Sequence, residues 1–343
     1  MSKKSIQDLK DVAETLLVPL YYRAVESQRP DALVKDERAQ ELMAQIDYDF
    51  SRFKRQSFDQ VATLMRLREF DRCCQAFLTE HPQGVVVHIG CGLDTRFDRV
   101  DNGMVEWYDL DLPEVITLRK RFIEEGSRCH FLACSVLDKS WMDIVGLHAG
   151  RSFLFMAEGV FPYFSEAQVK GLVLTLAERS PGAELVCDAM SPFFVRVHNL
   201  ELASTKIAAR LHWGLKRGKD LEARGAGIRL LGEWFYFDEP EPRLGRARLL
   251  RYVPLMGKGV GIFRYRLGGR SSGSGTEHGS YDCRGQVGEH HQAHDETPGR
   301  GLIAGPGDEL ALDDLPDQDG LDDGHRDLAE DKRRNANCLG GGH

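Results

Sequence analysis

The sequence predicts an α/β protein with a doubly wound, mostly parallel sheet of seven strands and helices on both faces. Three observations support this fold class. The first 80 residues show helical periodicity, short apolar runs then alternate with helical segments up to about residue 190, and two further strand-like runs follow at residues 248–253 and 261–267. Strands that alternate with helices along a chain form parallel sheets with right-handed crossovers.

The first 80 residues show the apolar spacing of amphipathic helices. Val12, Leu16 and Leu17 share one face of a first helix, which we expect to end near Pro19. The other helices predicted in this region cover residues 38–46 and 58–78. A largely helical segment therefore precedes the first strand.

The predicted strands are short and apolar. Val85, Val86, Val87 and Ile89 form the first, with the continuous β-branched character of a strand buried on both faces. The other strands are expected at residues 105–110, 130–134, 152–156, 184–187, 248–253 and 261–267. Helices are expected at residues 114–125 and 166–179, and a helical insertion at about residues 193–235.

A glycine-rich turn, Gly90-Cys91-Gly92, directly follows the first strand. Glycine permits a backbone to approach a ligand closely, and this position in a doubly wound sheet commonly binds nucleotides. Asp111 ends the second strand roughly 20 residues later, where an acid can accept hydrogen bonds from ribose hydroxyls. The pattern indicates an adenosine-type site.

The residue at the third glycine position limits which cofactor fits. A dinucleotide fingerprint, G-x-G-x-x-G, has a glycine there so that the helix can pack close to the strand. Thr95 occupies that position in this chain, so the match is incomplete. An NAD-type oxidoreductase is therefore the disfavoured alternative, although a single G-x-G is by itself a weak signal.

Four sequence blocks occur in order along the chain: GCGLDTRFDR, YDLDLPEVITLRKR, SVLDKSWMD and FMAEGVFPYF. In these blocks the chain resembles the S-adenosylmethionine-dependent leucine carboxyl methyltransferases and their bacterial relatives, including tetracenomycin-type polyketide carboxyl methyltransferases. The resemblance runs from about Val18 to Leu267. It implies a class I methyltransferase, Rossmann-like fold with a helical N-terminal cap. It also implies O-methyl transfer from S-adenosylmethionine to a carboxylate of a small molecule, such as a polyketide, or of a peptide C-terminus.

The resemblance also implies roles for individual residues. Arg66 matches an arginine that clamps the methionine carboxylate, which a planar guanidinium suits, whereas Arg68 lies on another face of the helix. Glu158 in the AEG turn lies beside the cofactor and Tyr163 lies near the acceptor, so these two are the catalytic candidates. The expected cofactor-binding residues are Arg66, Gly90, Gly92, Asp94, Thr95, Asp111, Leu112, Ser135, Val136 and Glu158.

Alternatives stay open for three of these residues. Asp94 and Thr95 open the helix after the glycine turn, where either could instead cap the helix N-terminus. Ser135 stands where the family generally has an acid that reads the adenine amino group. Either backbone groups near Val136 read adenine, or Asp138 has taken over that role.

Composition limits the classes of partner. The net charge is −8, and residues 271–343 alone hold 16 acidic and 6 basic residues, so the rest of the chain is nearly neutral. Nothing in this balance favours nucleic acid. The N-terminus does not resemble a secretory signal, and no apolar run reaches the ~20 residues that span a membrane. We therefore expect a cytosolic protein. The eight cysteines include no C-x-x-C pair, so we expect no metal site.

We expect three segments: a helical cap at residues 1–80, a cofactor-binding domain at residues 81–268 and a disordered tail at residues 269–343. Residues 271–343 hold 14 of the 35 glycines and no Phe or Trp. Such a segment cannot bury enough apolar surface to offset its ordering entropy.

The mechanism and the acceptor are less constrained. A carboxylate acceptor is ionised at neutral pH and needs no general base, whereas a hydroxyl acceptor usually does. The chain shows no obvious His or Asp paired with a nucleophile, which favours carboxyl methylation modestly. Because of Ser135, a catalytically silent binding protein with a methyltransferase fold is a further alternative. The identity of the acceptor and the oligomeric state cannot be read from the chain.

Overall fold

A computed structural model describes residues 4–5, 12–53, 58–203, 210–223, 225, 227–239 and 241–268 of the chain. The predicted tail, residues 269–343, lies outside the described residues. The α-helices in the described ranges are α1 (Val12–Glu26), α2 (Glu37–Gln45), α3 (Phe58–Glu80), α4 (Arg96–Val100), α5 (Pro113–Arg119), α6 (Ser140–Val145), α7 (Glu166–Arg179), α8 (Pro192–Ala203), α9 (Lys219–Glu222) and α10 (Pro254–Gly257). None of these described helices is long and apolar enough to cross a membrane.

The main sheet has seven strands, as predicted. The strands are β1 (Val85–Ile89), β2 (Glu106–Asp111), β3 (Cys129–Ala133), β4 (Phe153–Ala157), β5 (Glu184–Met190), β6 (Arg229–Phe235) and β7 (Val260–Arg266). They lie in the order β3-β2-β1-β4-β5-β7-β6. β1 to β5 pair in parallel, and β7 runs antiparallel to both β5 and β6. Two short strands, Lys4–Ser5 and Ile46–Asp47, pair with each other apart from this sheet.

β1 lies in the middle of the sheet and is buried along its whole length. β2 pairs with one side of β1 and β4 with the other, so the chain changes direction across the sheet at this strand. In open α/β sheets a crevice forms at such a switch point, outside the carboxyl ends of the strands. The glycine turn after β1 opens onto this edge.

Alternate side chains of β1 belong to two different hydrophobic cores, one on each face of the sheet. Val86 lies in the core that also contains Leu20 and Phe70, which come from α1 and α3. Val85 and Val87 lie in the core on the opposite face. The N-terminal helices thus cover one face of the sheet and share its core.

Two predicted helix ends were wrong. α1 continues through Pro19 to Glu26, because Leu17 and Leu20 are completely buried. Each fully buried side chain stabilises by about 1.5–3 kcal/mol, which offsets the cost of about 3 kcal/mol for an interior proline. α5 ends at Arg119 instead of residue 125, and the chain then continues in tighter turns in which Phe122 N–H bonds to Arg119 C=O.

The predicted strand at residues 248–253 was also wrong. The segment Pro242–Tyr252 is a 3₁₀ helix, interrupted at Gly245. The strand that pairs with β7 on the side away from β5 is β6, which lies within the range predicted as a helical insertion. A register shift near Gly232 interrupts the alternation of β6, and such a bulge hides the period-2 pattern by which strands are found in a sequence.

Candidate active site

The turn after β1 contains two glycines with left-handed backbone conformations. Gly90 has a φ of 71° and Gly92 a φ of 52°. A Cβ at Gly90 would lie 2.3 Å from Cγ2 of Val160, and a Cβ at Gly92 would lie 2.9 Å from Cδ2 of Leu16. Both positions therefore favour glycine for conformation and for space. The side chains of Val160 and Leu16 lie against the turn.

Replacing Gly90 by alanine should destabilise the protein more than the same change at Gly103. Both glycines have positive φ, 71° and 79°, but nothing lies within 4 Å of a Cβ placed at Gly103. Left-handed backbone costs an L-residue about 1–2 kcal/mol, and the overlap with Val160 should add about 1–3 kcal/mol. Urea unfolding of both variants measures the difference. Val160→Ala should recover the extra loss in Gly90→Ala, and equal losses at the two glycines would contradict the role of Val160.

Asp111 connects the end of β2 to the glycine turn. Its Oδ2 accepts a hydrogen bond from the N–H of Gly92 at 2.8 Å, and its Oδ1 accepts one from the N–H of Leu112 at 2.8 Å. Burial raises the pKa of the Asp111 carboxyl, although both N–H groups oppose this shift. Each carboxylate oxygen can accept a second hydrogen bond. Asp111 can therefore shape the turn and still accept hydrogen bonds from ribose hydroxyls.

The region predicted to bind adenine follows β2 and β3. The side-chain oxygens of Ser135 and Asp138 each accept a hydrogen bond from the backbone N–H two residues further on, at 3.3 and 3.0 Å. Val136 is buried, whereas Leu112 and Leu137 are 42% and 36% exposed. Exposed leucines at this edge offer an apolar surface to a flat ring. The choice among Ser135, Val136 and Asp138 as the adenine reader stays open.

Arg66 reaches from α3 to the carboxyl ends of β4 and β5. Its Nε donates to Oε1 of Glu158 at 2.9 Å, and its Nη1 donates to Oδ2 of Asp188 at 3.2 Å. Burial alone would lower the pKa of Arg66, but Tyr236, Glu158 and Asp188 raise it, so the guanidinium stays charged. Arg68 instead pairs with a different glutamate, as its position on another face of the helix predicts.

Glu158 and Asp188 are both ionic partners of Arg66. The second oxygen of Glu158 accepts from Arg96 at 2.6 Å, and the second oxygen of Asp188 accepts from the N–H of Gly159 at 2.7 Å. Burial opposes ionisation of Glu158, but Arg96 and Arg66 outweigh it and lower the pKa of Glu158. Burial raises the pKa of Asp188. Both oxygens of each carboxylate accept hydrogen bonds. Glu158 therefore holds Arg66 and Arg96 in place, and Asp188 holds Arg66 and the backbone N–H of Gly159.

Tyr163 borders this cluster on its open side. It ends a short 3₁₀ turn, Phe161–Tyr163, and is 44% exposed. Partial burial raises the pKa of its phenol, and Arg66 and Asp188 lie close enough to influence that pKa in opposite directions. The position is compatible with the expected contact to an acceptor, which stays a prediction.

A network of buried ion pairs connects the N-terminal helices to the segment after the glycine turn. Arg99 donates to Asp36 at 2.7 Å, to Asp71 at 2.8 Å and to Asp94 at 2.9 Å. Arg96, which is completely buried, donates to Asp71 at 2.6 Å. The same Arg96 contacts Glu158, so the network continues to the ion pairs of Arg66.

Asp94 and Thr95 are parts of this network. The hydroxyl of Thr95 donates to Asp36 at 2.7 Å. Thr95 occupies the N-cap position of α4, but its side chain makes no capping hydrogen bond there. The capping alternative was therefore wrong for Thr95. The predicted contact of Asp94 and Thr95 with the cofactor stays a prediction.

Lowering the pH is expected to destabilise the protein because it protonates the carboxylate of Asp94. Burial alone would raise the pKa of Asp94, but Arg99, Arg96 and Arg23 hold it well below its ordinary value. An acid whose pKa falls on folding adds stability above the unfolded-state pKa of about 3.9, and this stability is lost as pH falls through the folded-state pKa. The free energy of unfolding should therefore decrease below about pH 4, and Asp94→Asn should flatten that decrease. Urea unfolding from pH 7 to pH 3 tests this, and an unchanged pH slope in the variant would contradict it.

Reasoning from sequence missed four residues of the site, Asp188, Tyr236, Arg96 and Asp71. Asp188 had a detectable signal, because it is an acid near the carboxyl end of an otherwise apolar strand, in ELVCDAM. Arg96 lies within one of the four sequence blocks but was given no role. Tyr236 and Asp71 offer no local signal, since the groups they contact lie far away along the chain.

Comparison with known proteins shows the family of this chain. The family model for leucine carboxyl methyltransferase matches residues 17–177. The tetracenomycin polyketide synthesis O-methyltransferase TcmP of Streptomyces glaucescens is 35% identical over 233 residues, 68% of this chain and 86% of that protein. The S-adenosyl-L-methionine-dependent methyltransferase dpfgK of Gibberella zeae is 27% identical over 294 residues, 78% of this chain and 96% of that protein. A solved DUF574 family protein from Streptomyces avermitilis superimposes with a TM-score of 0.49 and 15% identity, covering 74% of this chain and 97% of that chain.

The family match and the identity to TcmP confirm the resemblance that the four sequence blocks indicated. The fold is that of a class I methyltransferase, with five parallel strands and an antiparallel pair at one edge. The chain therefore belongs to the leucine carboxyl methyltransferase family and is an S-adenosylmethionine-dependent methyltransferase.

Proposed function

We propose that this methyltransferase transfers its methyl group to a carboxylate oxygen, on a small molecule such as a polyketide or on a peptide C-terminus. One observation carries the proposal. Arg66 lies at the same sheet edge as the glycine turn and Asp111, and it is held there by Glu158 and Asp188, whose oxygens all accept hydrogen bonds. The residues at this edge can position the reactants and complement their charges. Neither Glu158 nor Asp188 has an oxygen without a hydrogen bond that would serve as a base.

The residues at this edge match the parts of S-adenosylmethionine. Asp111 suits the ribose hydroxyls, the exposed Leu112 suits the adenine ring, and Arg66 suits the methionine carboxylate. Gly159 lies beside Arg66, because a Cβ there would be at contact distance, 3.7 Å, from its Nη2. When bound, the cofactor supplies a methyl group already activated on a sulfonium. The protein then mainly has to position the reactants and complement their charges.

Two arguments favour a carboxylate acceptor over a phenol. A carboxyl group with an ordinary pKa near 4 is ionised at neutral pH and can attack without losing a proton, whereas a phenol with a pKa near 10 usually needs a base. Against the effect of burial, Arg96 and Arg66 lower the pKa of Glu158 and so make it a poor base. Asp188 already accepts hydrogen bonds from Arg66 and from the N–H of Gly159. The name of TcmP, a relative acting in polyketide synthesis, supports a polyketide-like acceptor.

The acceptor would bind beside Tyr163 and the start of α8. α8 begins two residues after β5, so Phe193 in its first turn lies at the same edge of the sheet as Asp188. Tyr163 and Phe193 are 44% and 45% exposed, and exposed aromatic side chains at a cleft suit a flat, apolar acceptor. Leu16 of α1 lies against Gly92, which supports the proposal that the N-terminal helices cover the cofactor.

The stability of the product in base distinguishes the two kinds of acceptor. The enzyme would be incubated with radiolabelled S-adenosylmethionine and either aromatic polyketide carboxylic acids or matched phenols that lack the carboxyl group. We expect label only on the carboxylic acids, in methyl esters that mild base hydrolyses. Base-stable methyl ethers on the phenols would contradict carboxyl methylation. Binding of S-adenosylhomocysteine without turnover of these panels or of peptides with a free C-terminal carboxylate would indicate a catalytically silent protein.

A further inference from the structure

We propose that Asp188 is a positioning residue, which holds the guanidinium of Arg66 beside Gly159 so that its terminal edge can receive the carboxylate of the cofactor. This inference rests on the proposed role of Arg66 in cofactor binding. Asp188 would act entirely through Arg66 and Gly159, without contacting the reacting atoms.

Asp188 connects three separate elements of the fold. It lies near the carboxyl end of β5 and is 3% exposed. Its Oδ1 accepts from the N–H of Gly159, in the turn after β4, at 2.7 Å, and its Oδ2 accepts from Nη1 of Arg66, on α3, at 3.2 Å. A single carboxylate thus fixes the distance between the turn and the arginine.

The space left by Gly159 lies beside the terminal nitrogens of Arg66. A Cβ at Gly159 would lie 3.7 Å from Nη2 and 4.0 Å from Nη1, and the backbone φ of 67° also favours glycine. Glu158 holds the opposite part of the guanidinium through Nε. Arginine can bind a carboxylate through two parallel hydrogen bonds at either of two edges, and with Nε engaged by Glu158 the edge formed by Nη1 and Nη2 is the one that remains for the cofactor.

Asp188 could instead be a buried carboxylate that only stabilises β5, and the same strand provides a control for this possibility. Glu184 lies at the other end of β5 and is 2% exposed. It pairs with Arg264 at 2.6 Å and with Arg266 at 3.1 Å. Replacing Glu184 therefore removes a buried carboxylate from β5 without touching Arg66.

The test compares two ligands in binding calorimetry. S-adenosylhomocysteine carries the amino-acid carboxylate, whereas 5′-methylthioadenosine has the same adenosyl thioether without it. In Asp188→Asn the amide oxygen can still accept from Gly159, but the amide nitrogen cannot accept from Arg66. We expect Asp188→Asn to weaken S-adenosylhomocysteine about 10- to 100-fold, the range for a lost hydrogen bond to a charged group, and to leave methylthioadenosine unchanged. Glu184→Gln should preserve the ratio of the two affinities even if it lowers stability.

Arg66→Ala should show the same selective loss, and Asp188→Asn added to it should cause no further change. Equal weakening of both ligands by Asp188→Asn, or no weakening of either, would overturn the inference. If Arg66→Ala left the ratio unchanged, the proposed role of Arg66 would fail, and this inference with it. If Asp188→Asn does not fold, Asp188→Glu replaces it, because a longer carboxylate keeps the charge but displaces the guanidinium and should cause the same selective loss.

Discussion

Replacing Arg66 by alanine should reduce kcat/KM about 100-fold or more, because hydrogen bonds to a charged group contribute about 1.5–3 kcal/mol and the side chain would provide two. The change also leaves Glu158 and Asp188 without their shared cation. Arg66→Lys should recover little of the loss, since an ammonium is a point charge that cannot bridge two carboxylates and also bind a third in parallel. Initial rates at varied cofactor concentration measure the effect.

Arg68 provides the matched control. It lies two residues further along α3 and pairs with Glu239, so Arg68→Ala removes the same type of side chain from the same helix. It should affect the stability of the protein and leave cofactor affinity nearly unchanged. Full activity in Arg66→Lys would contradict the geometric part of the argument and would show that positive charge alone is sufficient.

The sequence allowed prediction of the parts of the fold that are specified locally. The buried run in β1 and the turn at Gly90 each depend on a few consecutive residues, and α7 begins and ends where the pattern indicated. A contact with the cofactor was also predicted for Arg66 and stays a prediction; its partners Glu158 and Asp188 lie 92 and 122 residues away along the chain. That prediction came from the family resemblance, since no local rule connects groups so far apart.

The features that could not be predicted depend on tertiary contacts. Pro19 would end an isolated helix, but complete burial of the neighbouring leucines keeps α1 intact past it. Gly232 breaks the alternation of β6, and only its pairing with β7 shows that the segment is a strand. The ion pairs of Arg96 and Arg99 depend on the approach of α2 and α3 to the glycine turn, so no pattern of neighbouring residues in the sequence indicates them.

The site is therefore coupled to the core through shared charged side chains. Glu158 accepts from Arg66 on one oxygen and from Arg96 on the other. Arg96 in turn contacts Asp71 of α3, the helix that also carries Arg66. α3 carries Arg66 and, through Asp71, also holds Arg96, which contacts Glu158. A change in the packing of α3 should therefore displace Arg66 and Glu158 together. This coupling explains how a helix outside the sheet can hold the guanidinium of Arg66 at the sheet edge with a defined orientation.

Arg96→Met should lower the free energy of unfolding by about 3–5 kcal/mol, the cost of removing one partner from a buried ionic cluster. Arg96 is completely buried and lies 2.6 Å from Asp71, 2.6 Å from Glu158 and 3.1 Å from Nε2 of His88. Methionine fills much of the same volume but donates no hydrogen bond, so two buried carboxylates would each lose a cationic partner. Urea unfolding at pH 7 measures the loss.

Arg179→Met is the matched control, because Arg179 pairs with Asp143 at the surface, where the two side chains are 43% and 72% exposed. Exposed pairs of this kind contribute at most about 1 kcal/mol, so the control should unfold close to the wild type. A loss of similar size in both variants would mean that the network around Arg96 adds no more stability than a surface pair. Partial recovery of stability by Asp71→Asn and Glu158→Gln in the Arg96→Met background would instead identify the two carboxylates that lost Arg96 as the cause, since a buried charge without compensation is what makes the loss of one partner costly.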